Sequence, residues 1–355
     1  MVANKTEIKE NGAKILVQEG AHTPEKTVGF YNARMEFNRD FTIATLSAEA
    51  QKGWKVLDAF GASGVRGIRL AQEIEDIELT INDISKGAVE LIKRNVKRNK
   101  VSAEILQRDA AALMNERKFD FIDLDPFGSP SQFLEPAFRS IRNKGIVGMT
   151  ATDMTALCGV YPKVAERNYG GRSLRTEYCH ELGARLVIAA TARAAARFEK
   201  RIEVLSVLNA DHYLRITLRA RDGAEGANKC LTNIKQGYHC FKCNEHGFEK
   251  KCRCRQKITE FGPVWSGPIF EKKFINESLK TVKRKNFGTE KRLLKTLEVM
   301  KEEIRSPAFY YDLHKHYKGN VPKISEAIEK LKKQGIKATR THFSPTAIKS
   351  EKFKK

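Results

Sequence analysis

The chain has 355 residues, and its 65 Lys and Arg against 43 Asp and Glu leave a formal charge of +22; from Lys229 onward 31 basic residues face 13 acidic ones, against 34 and 30 before it. So uneven an excess points to a polyanion partner for the C-terminal third rather than to an ordinary solvated surface. No run of about 18 apolar residues occurs and "MVANKTEIKENGAK" lacks the apolar region of a signal peptide, so neither a membrane span nor secretion is expected, and the protein is expected to be cytoplasmic.

In chain order, "KVLDAF" reads as a strand, followed by a glycine turn and the helix "SGVRGIRLAQEI". "ELTIND" is a second strand, "SKGAVELIKRNVKRN" a second helix, "AEILQRD" a third strand, "FDFIDLD" a fourth and "GIVGMTAT" a fifth. This βαβ rhythm predicts an α/β fold, a doubly wound parallel sheet with its ligand crevice at the strand C-terminal ends. "RTEYCHELGARLVIAATARAAARFEK" has helical apolar spacing, and "IEVLSVLNADHYLRITLRAR" reads as a hairpin that extends the sheet. Gly and Ala in "DGAEGANKC" break the pattern, so a boundary is expected between residues 228 and 229. A smaller α+β domain follows, with a Cys cluster, the Pro/Gly-rich "FGPVWSGPIF" and two or three helices. The last two helices with "GIKATRTHFSPTAIK" suggest a winged-helix-like module.

The glycine turn "DAFGASGVRG", with Asp58, Gly61 and Gly64, brings the backbone close to a ligand but is not the three-glycine cradle of a dinucleotide. Two further strand ends supply Asp83 and Asp109. A carboxylate at the second strand suits a ribose diol, and Asp109 suits an adenine amine, with the next backbone N–H, that of Ala110, meeting a ring nitrogen. An adenosine ligand without phosphates, S-adenosylmethionine, fits this set.

The fourth strand ends at Asp125-Pro126-Phe127-Gly128, which resembles the (Asp/Asn)-Pro-Pro-(Tyr/Phe) loop of methyltransferases that modify exocyclic base amines. Such an amine is a poor nucleophile, so a site must align it with the sulfonium methyl and accept hydrogen bonds from it, for which Asp125 is available. Phe127 offers a face for an extruded base. Guanine presents N1–H and the N2 amine side by side to two carboxylate oxygens, whereas adenine sets a donor beside an acceptor; this favours guanine. Asp123 reads as a supporting group.

"VGFYNARMEFNRDFT", "VLDAFGASGVRGIRLAQE", "DLDPFGSP" and "TDMTALCGVYPKVAERNYGGRSLRTEYCHELGARLV" together resemble the archaeal tRNA (guanine(26)-N2)-dimethyltransferase family, over most of residues 28 to 228 and more loosely beyond. The resemblance implies a Rossmann-like class I S-adenosylmethionine-dependent methyltransferase domain over residues 1–228 with an N-terminal extension, and a basic tRNA-binding domain over 229–355. It implies that Arg39, Arg66, Asp83, Asp109 and Ala110 contact S-adenosylmethionine, that Asp125 is the catalytic acceptor, and that Phe127 and Phe30 flank the guanine. An rRNA or DNA amino-methyltransferase, or a non-catalytic zinc-dependent RNA-binding protein, are the competing readings.

"NYGGRSLRTEYCHELGAR" reads either as an Arg clamp on tRNA phosphates, with Arg172, Arg175 and Arg185, or as an Arg–Glu network that positions a helix. Cys240-x2-Cys243-x8-Cys252-x-Cys254 supplies four thiolates for one structural zinc, with His239 and His246 as substitutes. The expected partner is tRNA, held by backbone contacts of the basic C-terminal part, with no obligate protein partner.

Overall fold

The computed structural model describes residues 5–18, 29–250, 252, 254, 256–317 and 319–352. The chain forms two compact units, one of Met1–Thr150, Thr217–Arg221 and Lys273–Leu297, the other of Ala151–Ile216, Asp222–Lys272 and Glu298–Lys355.

The first unit opens with a hairpin, β1 (Lys5–Glu10) and β2 (Ala13–Gln18). Its turn is Asn11-Gly12, both at positive φ (43° and 89°), the conformation that two-residue hairpin loops require. Helix α1 (Glu36–Ser47) follows. Then come β3 (Trp54–Asp58), α2 (Val65–Glu73), β4 (Ile77–Asp83), α3 (Lys86–Asn99), β5 (Glu104–Gln107), α4 (Ala110–Glu116), β6 (Phe119–Leu124), α5 (Leu134–Ser140) and β7 (Ile141–Ala151). Pairings β3–β4, β3–β6, β4–β5 and β6–β7 are all parallel. Phe121, Ile122, Asp123 and Leu124 of β6 are buried in succession, as in strands covered on both faces.

Helix α3 starts where the Ser85 hydroxyl caps the Ala88 N–H. It buries Ala88, Val89, Leu91, Ile92, Asn95 and Val96, a helical stripe. Two asparagines of that helix grip the hairpin as a strand would: Asn95 accepts from Leu16 N–H at 2.8 Å and donates to Leu16 O at 3.1 Å, and Asn99 does the same at Lys14. Glu10 completes the attachment, accepting from Arg69 at 2.8 Å and from Arg39 Nε at 2.6 Å.

In the second unit α6 (Met154–Leu157), α7 (Pro162–Tyr169) and the 18-residue α8 (Cys179–Ala196) precede β8 (Lys200–Ala210). The expected hairpin is present, with β9 (Tyr213–Asp222) as its second strand. The seven-stranded sheet has the order β5-β4-β3-β6-β7-β9-β8, which reverses direction between β3 and β6. That reversal is where open α/β sheets bind ligands.

Helix α9 (Ala224–Leu231) runs straight through the expected 228/229 boundary. Gly223, at φ +134°, only starts this helix, and Ala227 and Cys230 are buried along it. Glycine and alanine there mark a helix start and a packed face, not a linker, so the compact units do not divide at that point.

Strands β10 (Ile234–His239), β11 (His246–Gly247) and β12 (Thr259–Trp265) form an antiparallel sheet in the order β11-β10-β12, and β12 packs on α8. Helices α10 (Lys272–Arg284) and α11 (Glu290–Glu303) come next. The C-terminal end holds β13 (Tyr311–Asp312), α12 (Leu313–His316), α13 (Ile324–Lys333), β14 (Ala338–Arg340) and β15 (Ala347–Ser350). Its sheet order β13-β15-β14, with both helices between the first two strands, is the plan expected of a winged helix. Leu313, Ala327, Leu331, Ala338 and Ile348 make its core.

Candidate active site

The C-terminal ends of β3, β4, β5 and β6 lie side by side, with Asp58 opposite Asp123 in the register. The turn after β3 is tightly determined. Gly61 donates to Asn82 O at 2.8 Å, and a Cβ on it would lie 2.6 Å from Ile81 Cγ2. Gly64, at φ +81°, starts α2. Ala62 also takes positive φ, 49°, and its N–H donates to Asp83 Oδ2 at 2.9 Å.

Asp83 thus braces the turn, and its Oδ1 accepts from Ser85 N–H at 2.8 Å. Each oxygen keeps a further lone pair, so the carboxylate still suits a diol. Asp109 is exposed and caps α4 through Oδ1, which accepts from Ala112 N–H at 2.8 Å, while Ala110 beside it is buried. Ile84, directly after Asp83, is 69 % exposed. Sequence reasoning passed over it; its signal was an isoleucine next to a strand-end carboxylate, where a flat apolar ligand face needs cover. The Gly turn, two carboxylates and an exposed aliphatic side chain fit an adenosine group.

Beneath the turn Asp58 is buried and accepts from Gly67 N–H at 3.0 Å. Burial first, and then the charge of Asp123, push its carboxyl up to about 7, against the pull of Arg66. Arg66 is the central cation: it is buried, lies 3.5 Å from Asp123 through Nε, and pairs with Asp125 through Nη2. Its Nη1 donates to Asn38 Oδ1 at 3.0 Å and Thr42 Oγ1 at 3.1 Å, so two residues of α1 that had not been singled out orient it.

Arg39 lies among protein partners instead of open to a ligand on every side. Its Nε and Nη2 bond Glu10, Nη2 also reaches Asn32 O at 3.2 Å, and the guanidinium stands 5.1 Å from the Tyr31 ring centroid. Burying that guanidinium requires a countercharge, which Glu10 provides.

Asp125, one residue beyond β6, has a side chain 20 % exposed. Gly128 turns the loop at φ +77° with open space around it. Phe127 is 64 % exposed and its ring meets Phe30 at 5.5 Å between centroids, 75° apart. The two rings were expected to flank a base; here they touch each other edge to face.

In the second unit the Sγ atoms of Cys240, Cys243, Cys252 and Cys254 lie within 4.8 Å of one another, and Cys243 and Cys252 are 3.5 Å apart. Four thiols at that spacing fit a tetrahedral ion. His239 is buried and its Nδ1 bonds the Tyr178 hydroxyl, while His246 Nδ1 faces Asn244 O, and among the described residues the cluster consists of the four cysteines. Arg185 is buried against Glu181 and the carbonyls of Trp265 and Gly267, a structural role, whereas Arg172 and Arg175 are exposed.

The strand order, the glycine turn and the acidic strand ends define a Rossmann-like, class I S-adenosylmethionine-dependent methyltransferase. Residues 6–353 match the family model described as N2,N2-dimethylguanosine tRNA methyltransferase, and the chain belongs to that family. It is 40 % identical to the tRNA (guanine(26)-N(2))-dimethyltransferase of Pyrococcus furiosus and 38 % identical to that of Pyrococcus abyssi, covering 97 % of this chain and 95 % of each relative. The solved complex of Trm1 from Pyrococcus horikoshii with S-adenosyl-L-methionine superposes with a TM-score of 0.89 at 37 % identity, over 98 % of this chain and 97 % of that one.

Proposed function

We propose that this enzyme transfers one or two methyl groups from S-adenosylmethionine to the exocyclic N2 of guanine 26 in tRNA. The observation that carries the assignment is Asp125, oriented by Arg66 at the end of β6 beside the exposed ring of Phe127. S-adenosylmethionine supplies an electrophilic methyl group. Asp83 takes the ribose hydroxyls, Asp109 and Ala110 take the adenine edge, and Asp58 and Gly61 hold the turn beneath. Arg39 and Arg66 address the methionyl carboxylate, Arg39 through Nη1, which takes no part in its bonds to Glu10 and Asn32.

Asp125 accepts from guanine N1–H and the N2 amine and holds the N2 lone pair in line with the methyl carbon. As the N–C bond forms, the C–S electrons return to sulfur, and the surplus N2 proton passes by way of the carboxylate to solvent. Phe127 and Phe30 hold the extruded base by stacking.

The four-cysteine cluster holds a structural zinc, and the basic segments from residue 229 onward track the tRNA backbone, with Arg172 and Arg175 adding phosphate contacts. The first compact unit carries the cofactor and the second most of the tRNA contacts. Such an enzyme works in the cytoplasm.

The test is mass spectrometry of nucleosides from a tRNA transcript incubated with enzyme and S-adenosylmethionine. N2-methylated guanosine is expected, and none from a transcript with adenine at position 26. Methylated adenosine, or N2-methylguanosine that persists in the adenine-26 transcript, overturns the assignment.

A further inference from the structure

The second compact unit gathers a different set of soft donors, away from the four-cysteine cluster in sequence. Cys158 closes helix α6, its N–H donating to Met154 O at 2.8 Å. Cys179 is the first residue of α8 and His180 the second. Their two sulfurs and one imidazole nitrogen lie within 4.8 Å of one another, and all three residues are half-buried.

The juxtaposition is built into the backbone. Gly159, at φ +84°, has no room for a side chain, since a Cβ would lie 2.3 Å from Arg175 N. Ser173 Oγ donates to Ala156 O at 2.6 Å. The turn after α6 is therefore packed against the segment that leads into α8, and the donors at its two ends are held together.

A second observation concerns Tyr310. It is 1 % exposed, it feels the charges of Cys179, Glu181 and Cys158, and among the described residues its Oη has no hydrogen-bond partner. Leaving a buried hydroxyl unpaired is unfavourable, and a polar group at the cluster would relieve it.

We propose that Cys158, Cys179 and His180 form a second zinc site, with a water held by the Tyr310 hydroxyl as fourth ligand. Two thiolates and a neutral imidazole leave a Zn2+ centre with no net charge, which suits a half-buried position. Both thiol protons go to solvent as the ion binds. Cys179 sits at the N-terminus of an 18-residue helix, whose dipole favours its thiolate. The ion staples the α6 turn to α8. A Cys158–Cys179 disulfide would use the sulfurs but neither the imidazole nor the tyrosine.

The test measures zinc per chain by plasma mass spectrometry after gel filtration, in the full-length protein and in three variants. Cys158→Ser is expected to lose one zinc relative to the parent protein, and Cys240→Ser/Cys243→Ser to lose a different one, so failure of either site is seen separately. His180→Asn keeps both thiols and reports even if Cys158→Ser folds poorly: with Co2+ as the probe, its visible ligand-field band is expected to shift. Unchanged zinc in Cys158→Ser, an unchanged Co2+ spectrum in His180→Asn, or an intact mass two hydrogens low with no zinc at this cluster overturns the proposal.

Discussion

Phe30 meets Phe127 edge to face, with 5.5 Å between ring centroids and 75° between planes. A base stacked between two rings needs them parallel and about 7 Å apart, twice the stacking distance of aromatic faces. The stacking proposed for guanine therefore requires the pair to open, and the exposed partner, Phe127, is the one with space around its loop. Phe127→Ala is expected to lose about 5- to 150-fold in kcat/KM, the equivalent of one stacking contact of about 1–3 kcal/mol. Steady-state kinetics on a tRNA transcript check this, and a loss under twofold would show that the ring does not hold the base.

Asp125→Ala is expected to abolish methyl transfer while S-adenosylmethionine affinity, measured by calorimetry, changes little. Asp125→Asn keeps an acceptor but presents a donor beside it, so it should be slow on guanine. Near-normal turnover by the alanine variant would remove Asp125 from the chemistry.

Arg66→Met leaves Asp58, Asp123 and Asp125 without the cation they share. Removing one partner of a buried ion pair costs about 3–5 kcal/mol. A drop in Tm of several degrees is expected together with weaker cofactor binding; a Tm unchanged within error would mean that the carboxylates are neutralised another way.

The Asp58 carboxyl is raised, by burial and then by Asp123, from 3.8 to about 7. The native state thus binds a proton that the unfolded chain releases near pH 4. The stability tied to that proton is complete below about pH 4 and is lost as pH rises towards 7, with a slope of up to about 1.4 kcal/mol per pH unit. Asp58→Asn should flatten this part of the pH profile of urea unfolding. A parallel profile in the variant would place the proton elsewhere.

Much of the first unit is readable along the chain because its signals are local. The βαβ rhythm yields the parallel strands, and Asp83 and Asp125 come at strand ends where side chains face the crevice. What stays hidden is which charges meet. Glu10 answers Arg39 from 29 residues away and Arg69 from 59, and Arg66 reaches Asp125 across 59. Such partners are set by how helices pack, and residue types do not encode them. The missed boundary has a similar origin: "GAEGAN" looks like a linker by composition, yet Ala227 is buried against neighbours that only tertiary structure supplies. Cys179 and His180 lie in the stretch that reads as an Arg clamp or an Arg–Glu network, and the 20 residues that separate Cys179 from Cys158 match no metal-ligand spacing that would announce the set.

The β1–β2 hairpin has a consequence for handling the protein. One carboxylate on it, Glu10, serves two buried guanidiniums and the Tyr31 hydroxyl. Removing residues 5–18 would therefore take one carboxylate from both Arg39 and Arg69, of which Arg69 keeps Asp40 and Glu73. The trimmed protein is expected to lose several kcal/mol in denaturant unfolding, and Glu10→Gln alone to reproduce a good part of that loss. A hairpin remote in sequence from Asp125 thereby supplies a countercharge to one arginine of α1, Arg39, and to one of α2, Arg69.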